Sequence, residues 1–249
     1  PSSIASVASA KFFYDWDELN SIAGQQYIET KFSKLEAVVG VTLKELIDSL
    51  KMPSFSGITT QAKCNIAEYL WYQMIRNQEG RTIAKQVNEI LLTHLSEENF
   101  PNLVTEKYDE KVEHLKMLLS VDVSKQVDHL TSGIWIFVNN QTAANFYTSD
   151  NPVVHHVHED VHRLARETFF PLTPKLGIMI LPREYFQEFE TFENQILDLD
   201  DEAYIQFYNV LQTSQSTRQI FSISDNLTHA EMLVAKNPQL SEINRRRVI

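Results

Sequence analysis

The sequence predicts an α+β fold: a helical N-terminal half packed on a mixed, largely antiparallel sheet, with further helices towards the C-terminal end. Two observations carry this. Up to about residue 131 the apolar residues recur every three or four positions, the period of amphipathic helices. At Gly133 the composition turns β-branched and aromatic, and strand-like and helix-like runs then mix to the end of the chain.

Taken in order, Ile28, Phe32, Leu35, Val39, Leu43, Leu46 and Leu50 mark a first long helix over residues 27–50, ended before Pro53. Ile66, Leu70, Met74 and Ile75, with Trp71 beside them, mark a second over 60–77. Gly80 separates this from a third around Ile83, Val87, Ile90 and Leu91, and the turn-forming run Asn99-Phe100-Pro101-Asn102 closes the group. A fourth helix is expected over 106–129 through Val112, Leu115, Leu118, Leu119 and Val127. In the second half, Ile134-Trp135-Ile136-Phe137-Val138, a turn at 139–142, and Asn145-Phe146-Tyr147-Thr148 predict a β-hairpin. Further strands are expected at 176–181 and 219–224, and helices near 201–212 and 226–235. With no internal repeat and no low-complexity linker, residues 1–249 read as a single domain with a helical subregion 1–131 and a mixed subregion 132–249.

The chain has 249 residues, 43% of them hydrophobic, enough to bury a full core. A single cysteine, Cys64, excludes an internal disulfide and any cysteine-rich zinc site, and fits a small core residue. Every apolar run is broken by charges or amides before the ~20 residues a membrane-spanning helix needs, so no membrane is expected as a partner. The opening Pro1–Ala10 lacks the basic and apolar regions of a signal peptide and reads as a cut in a longer chain, consistent with a cytoplasmic location.

The formal net charge is -11, which disfavours broad nucleic-acid binding and leaves a protein partner for the acidic surface. Residues 184–202 carry Glu184, Glu188, Glu190, Glu193, Asp198, Asp200, Asp201 and Glu202 without one Lys or Arg. The basic cluster Arg245-Arg246-Arg247 reads as a frayed, solvated terminus, with a partner contact as the alternative.

From the expected hairpin onward come Trp135, then Phe146-Tyr147-Thr148-Ser149-Asp150-Asn151-Pro152-Val153, then Phe170-Pro171-Leu172-Thr173-Pro174. This succession resembles the prokaryotic domain-of-unknown-function family 4238, in which a Trp-bearing strand leads to a Thr-Ser-Asp-Asn-Pro motif followed by a Phe-Pro-Leu-Thr-Pro motif. Gln73, Arg76 and Arg81 in the helical half also match, as do Tyr208-Asn209, Arg218, Ile220, Phe221 and Ser222 near the end. The resemblance also implies a short segment holding a His, a Pro and aromatic residues before the first helix, which this sequence is expected to lack. The resemblance implies a fold and no established activity.

Chemically, Ser149-Asp150-Asn151-Pro152 has two readings. Pro152 holds Asn151 extended, and Ser149 and Asp150 can bond nearby amides, so the motif suffices as a tight corner. Alternatively Asp150 is a general base or metal-binding carboxylate at a strand end, with Ser149 as donor and Asn151 beside it. Arg76 at a helix end would then face Asp150 across a cleft and bind phosphate, and His114 on the fourth helix would face the same cleft. Phe170–Pro174 offers no titratable group and reads as a rigid entry to the following strand. His158-Glu159-Asp160-Val161-His162 matches H-E-x-x-H, which on a helix sets two imidazoles one turn apart for zinc, with Glu184 or Glu188 as a distant third ligand. The competing reading is an exposed amphipathic helix rich in histidine, or a weak adventitious metal site. The remaining His94, His129 and His229 are isolated, and neither a glycine-rich phosphate loop nor a G-x-S-x-G elbow is present.

Three functions follow as alternatives: a hydrolase of a phosphate-containing substrate through Asp150, Ser149, Asn151, Arg76 and His114; a binding or regulatory module with an acidic protein-interaction surface; and a zinc hydrolase through His158 and His162. A divalent metal is the one cofactor any of them calls for.

Overall fold

The computed structural model describes residues 16–97, 109–120, 122–224, 227–242 and 245. Helices α1 (Asp17–Ala23), α2 (Tyr27–Leu50), α3 (Thr60–Ile75), α4 (Gln78–Glu97), α5 (Glu110–Ser120) and α6 (Val123–Ser132) precede strand β1 (Ile134–Asn140). Then come β2 (Thr148–Ser149), β3 (Val154–Val157), β4 (Arg166–Pro171), β5 (Leu176–Leu181), a 3₁₀ turn at Gln187–Phe192 and β6 (Ile196–Leu199). Helix α7 (Glu202–Gln215), β7 (Ile220–Phe221), α8 (Thr228–Lys236) and a 3₁₀ turn at Pro238–Ser241 complete the described chain. The fold is α+β, as the change of character at Gly133 predicts.

The first long helix lies where its periodicity places it, and its buried apolar residues Ile28, Phe32, Val39, Leu46 and Leu50 lie on the expected stripe. Helix α3 is capped by Thr59, whose hydroxyl accepts from the Ala62 N–H at 3.2 Å. The boundary after α3 differs from expectation. Gly80 sits inside α4, and the break is at Arg76–Asn77, because the Asn77 side chain accepts from the Gly80 N–H at 2.8 Å and starts a new helix. Glycine at 80 is required by space: a Cβ there would lie 2.3 Å from the Ile75 carbonyl oxygen. The expected fourth helix is two, α5 and α6, divided next to Asp122, whose carboxylate takes the Ser124 hydroxyl at 2.5 Å. Short polar side chains compete there with the helical backbone. The expected turn at 99–102 and the start of the fourth helix at 106–108 lie outside the described residues.

The main sheet has the order β3-β4-β5-β1-β6, antiparallel except for the parallel pair β1–β6. The expected hairpin does not form. β1 pairs instead with β5, in the register Trp135↔Ile180 and Phe137↔Ile178, and with β6. The physical reason is burial: Ile134 to Val138 are buried throughout, so the strand needs partners on both edges and cover on both faces. The segment after it is satisfied by other means. Asn209 on α7 accepts from the Tyr147 N–H at 2.7 Å and donates to the Asn145 carbonyl at 2.9 Å, while the Phe146 N–H bonds the Pro174 carbonyl at 3.0 Å. One helix side chain thus replaces a strand partner. Residues 176–181 form β5 as predicted, whereas only Ile220–Phe221 of the run 219–224 is paired. Leu172 to Lys175 make the β4–β5 connection, where the Thr173 hydroxyl accepts from the Lys175 and Leu176 N–H groups.

Side-chain alternation gives the sheet two apolar faces. Trp135, Phe137, Phe170, Ile178 and Ile180 meet Leu46, Leu50, Ile66 and Leu70 of α2 and α3. The opposite face, Ile134, Ile136, Val138, Phe169 and Met179, meets Ile205 and Tyr208 of α7 and Phe186. Trp135 is wholly buried and its indole N–H donates to the Leu130 carbonyl at 2.9 Å, a bond that offsets the cost of taking its polar atom out of water. Each such buried large apolar side chain contributes ~1.5–3 kcal/mol.

Candidate functional site

The Ser149–Pro152 motif lies where three parts of the chain meet. Its strand β2 pairs with β7 (Thr148↔Phe221, Ser149↔Ile220), the last turn of α7 packs beside it, and the α3–α4 junction covers its far side. Pro152 ends the pairing and directs the chain into β3, the corner its sequence suggests.

Each side chain of the motif has protein partners. Asp150 accepts the Thr217 N–H on Oδ1 at 2.9 Å and the Arg218 N–H on Oδ2 at 2.8 Å, while its own N–H donates to the Gln219 carbonyl at 3.1 Å. It therefore holds the chain leaving α7 against the motif. Ser149 Oγ is buried, 2.9 Å from Gln212 Oε1 and 2.8 Å from the Asn151 carbonyl, and accepts from the Asn151 N–H at 3.2 Å. Asn151 is buried and uses its whole amide. Oδ1 accepts from Asn77 Nδ2 at 2.8 Å; Nδ2 donates to Glu79 Oε2 at 3.0 Å and to the Gln215 carbonyl at 3.2 Å. A satisfied network of this kind specifies how the helical half meets the sheet half, since each missing bond would strand a buried group.

The other residues expected in a common cleft do not join Asp150. Arg76 bonds Glu36 Oε1 at 2.7 Å, with its guanidinium carbon 5.2 Å from the Phe32 ring centre and 5.9 Å from that of Tyr69. It ties α3 to α2. His114 is completely buried; its Nε2 lies 2.7 Å from the Ile75 carbonyl, so that nitrogen carries the proton, and Nδ1 lies 3.5 Å from Arg81 Nε. Burial lowers its pKa to about 4, keeping it neutral. Both residues serve helix packing in this arrangement.

The His-Glu-x-x-His run is not helical, which removes the geometry its zinc reading needs. His155 and His156 lie on β3, and residues 158–162 form the turn towards β4. His158 Nε2 bonds Glu167 Oε2 at 2.9 Å, whereas His162 stacks on Tyr185 with ring centres 4.9 Å apart and accepts the Leu164 N–H. The exposed histidine-rich helix is likewise absent. Among the described residues no group of three or more His, Cys, Asp or Glu side chains could hold a metal ion.

Two features escaped the sequence reading. Asn209, Gln212 and Gln215 form an amide stripe on α7 facing the motif and the strands that flank it, visible afterwards as a polar three-residue spacing in the helix. The second is a buried carboxylate: Glu167 on β4 accepts from the Tyr208 hydroxyl at 2.8 Å and meets His158 on its other oxygen. Burial first, then the nearby Glu167, hold the Tyr208 phenol well above its ordinary pKa. Strand alternation within Arg166–Pro171 put Glu167 inside, and no local signal marked a charged residue there.

A sequence model described as "Protein of unknown function (DUF4238)" matches residues 1–226. The chain belongs to that family. Trp135, Ser149–Asn151, Phe170–Pro174 and Tyr208-Asn209 all fall within the matched span, and in this member of DUF4238 they occupy the core sheet, the corner described above and the face of α7 that packs on them. Helix α8 lies beyond the match, yet Ala230 is buried in its contact with the rest of the chain. No curated protein and no solved structure matches the chain. Among the described residues no helix is long and apolar enough to cross a membrane.

Proposed function

We propose that this chain is a non-enzymatic binding or regulatory module whose acidic surface engages a basic protein partner, and whose Ser149–Asn151 motif shapes the fold. The observation that carries this reading is the state of Asp150: both carboxylate oxygens accept main-chain N–H groups. A general base takes up a proton, and protonating this carboxylate would remove the charge that strengthens the two bonds holding the chain that leaves α7. The phosphate-hydrolase reading draws no support from Arg76 and His114, whose partners are Glu36 and the Ile75 carbonyl. The acidic surface is supported by the net charge of -11 and by the exposed Glu184, Glu188, Asp198, Asp200, Asp201 and Glu202.

The test is a turnover screen of the full chain against phosphomonoesters, phosphodiesters and nucleoside triphosphates, with Mg²⁺, Mn²⁺ and Zn²⁺ supplied. The expected result is no protein-dependent hydrolysis. Hydrolysis that disappears in Asp150→Asn while stability is unchanged overturns the proposal.

A further inference from the structure

The two ends of the five-stranded sheet are finished differently. At β3 the outward backbone of His155 is closed by a side chain: its N–H donates to Gln215 Oε1 at 2.9 Å, and its carbonyl accepts from Gln215 Nε2 at 2.6 Å. A glutamine of α7 stands where another strand would be. At β6 there is no such closure. Parallel pairing turns the backbone of Gln195 and Leu199 towards β1, where Phe137 and Gln141 N–H groups donate to their carbonyls at 2.9 Å. The alternating residues Ile196 and Asp198 therefore aim N–H and C=O away from the sheet, and no described residue bonds those groups.

An open edge of this kind is a template for an added strand, and proteins commonly blunt it with Lys or Pro. Here its surroundings are acidic instead. Asp198 is exposed on the edge strand and accepts only from the neutral amides of Asn139 and Gln141, at 2.7 and 3.1 Å. Asp200 and Asp201 follow at once and Glu202 opens α7, all exposed, and among the described residues none of the four is in an ion pair. Phe192 and Tyr204, 41% and 56% exposed, offer apolar surface on either side of the strand in sequence. Strand addition supplies affinity through the backbone, and the flanking charges select the partner.

We propose that the β6 edge is a docking site for an extended, Lys- or Arg-containing segment of a partner protein, which adds as a sixth strand against Ile196 and Asp198. This rests on the binding-module reading and gives it a location and a mode. A second copy of the chain is a poorer occupant, because edge-to-edge pairing of two β6 strands would set carboxylates of Asp198 and Asp200 against each other across a spacing of ~5 Å, and each copy carries a net charge of -11.

The experiment is fluorescence anisotropy with the full chain and a labelled synthetic peptide of alternating Val and Lys. Its controls are the same peptide N-methylated at alternate residues and a version with Glu for Lys. Expected are binding of the Val-Lys peptide that weakens as salt is raised, a loss of at least about tenfold on N-methylation, which removes the strand-forming N–H groups, and no binding of the Glu version. The double variant Asp198→Asn, Asp200→Asn should weaken binding about fivefold. Ile196→Pro, at the first residue of the strand where proline is tolerated, should abolish it with the far-ultraviolet spectrum unchanged. Equal binding of the N-methylated peptide, no binding of the Val-Lys peptide, or a sedimentation dimer that Ile196→Pro dissociates each overturns the proposal. Hydrolytic turnover, which defeats the underlying reading, is measured separately and leaves these titrations unaffected.

Discussion

Replacing Asp150 by Asn separates a residue that holds the fold from one that acts on a ligand. The Asp150 carboxylate makes two charge-assisted bonds, to the N–H groups of Thr217 at 2.9 Å and Arg218 at 2.8 Å. Thr217 is buried, so water cannot replace its partner; Arg218 is exposed, so water partly can. Bonds to charged groups contribute ~1.5–3 kcal/mol each when shielded from water, so the Thr217 bond is set at ~2 kcal/mol and the water-exposed Arg218 bond below that range, at ~1 kcal/mol. In Asp150→Asn the amide oxygen keeps the Thr217 bond without its charge, at a cost of ~1 kcal/mol, and the NH₂ group faces the Arg218 N–H, at a cost of about the same. The sum is ~2 kcal/mol, or ~4–8 °C in Tm for a chain of this size. Asp150→Ala loses both bonds and should cost ~3 kcal/mol. Urea denaturation followed by circular dichroism gives the midpoints, expected in the order wild type, Asn, Ala. A wild-type midpoint for both variants would refute the structural assignment, and with it the basis of the proposed function.

Three further outcomes are expected. Gly80→Ala should destabilise by ~2–3 kcal/mol, because the new Cβ would lie 2.3 Å from the Ile75 carbonyl oxygen that also accepts from His114 at 2.7 Å; urea midpoints measure it. His114 and His155 are both held neutral by burial, with pKa values lowered from 6.5 to about 4. As pH falls below 6.5 the unfolded chain takes up protons that the folded chain refuses, so the contribution of each histidine to stability should fall by ~2–3 kcal/mol between pH 6.5 and 4 and level off below that. Denaturation midpoints across this range should fall less steeply in His155→Gln. Tyr208→Phe should cost ~2 kcal/mol by removing a partner of buried Glu167, and a double-mutant cycle with Glu167→Gln should give a coupling of ~1–2 kcal/mol; zero coupling would show the bond to be inert.

Much of the secondary structure was legible in the sequence because it is set by local pattern. The stripe from Ile28 to Leu50 fixes α2 whatever it packs against, and Leu176–Leu181 is apolar enough that only a buried strand suits it. The Ser-Asp-Asn-Pro corner was also legible, since proline and short polar side chains restrict the backbone by themselves. What β1 pairs with was not. A strand buried on both faces carries no local mark of its neighbours, and the hairpin expected after it lost to the bidentate bonds of Asn209, more than sixty residues away in the chain. The site residues divide in the same way. The sequence alone determined that Ser149, Asp150 and Asn151 stand together at a strand end. Only the tertiary structure decided that Asp150 meets Thr217 and Arg218 and that Arg76 meets Glu36, because a side chain's partner is set by which distant backbone arrives within hydrogen-bonding reach. The same holds for the open edge of β6: its acidic residues are plain in the sequence, but an edge exists only once the other strands have taken their places.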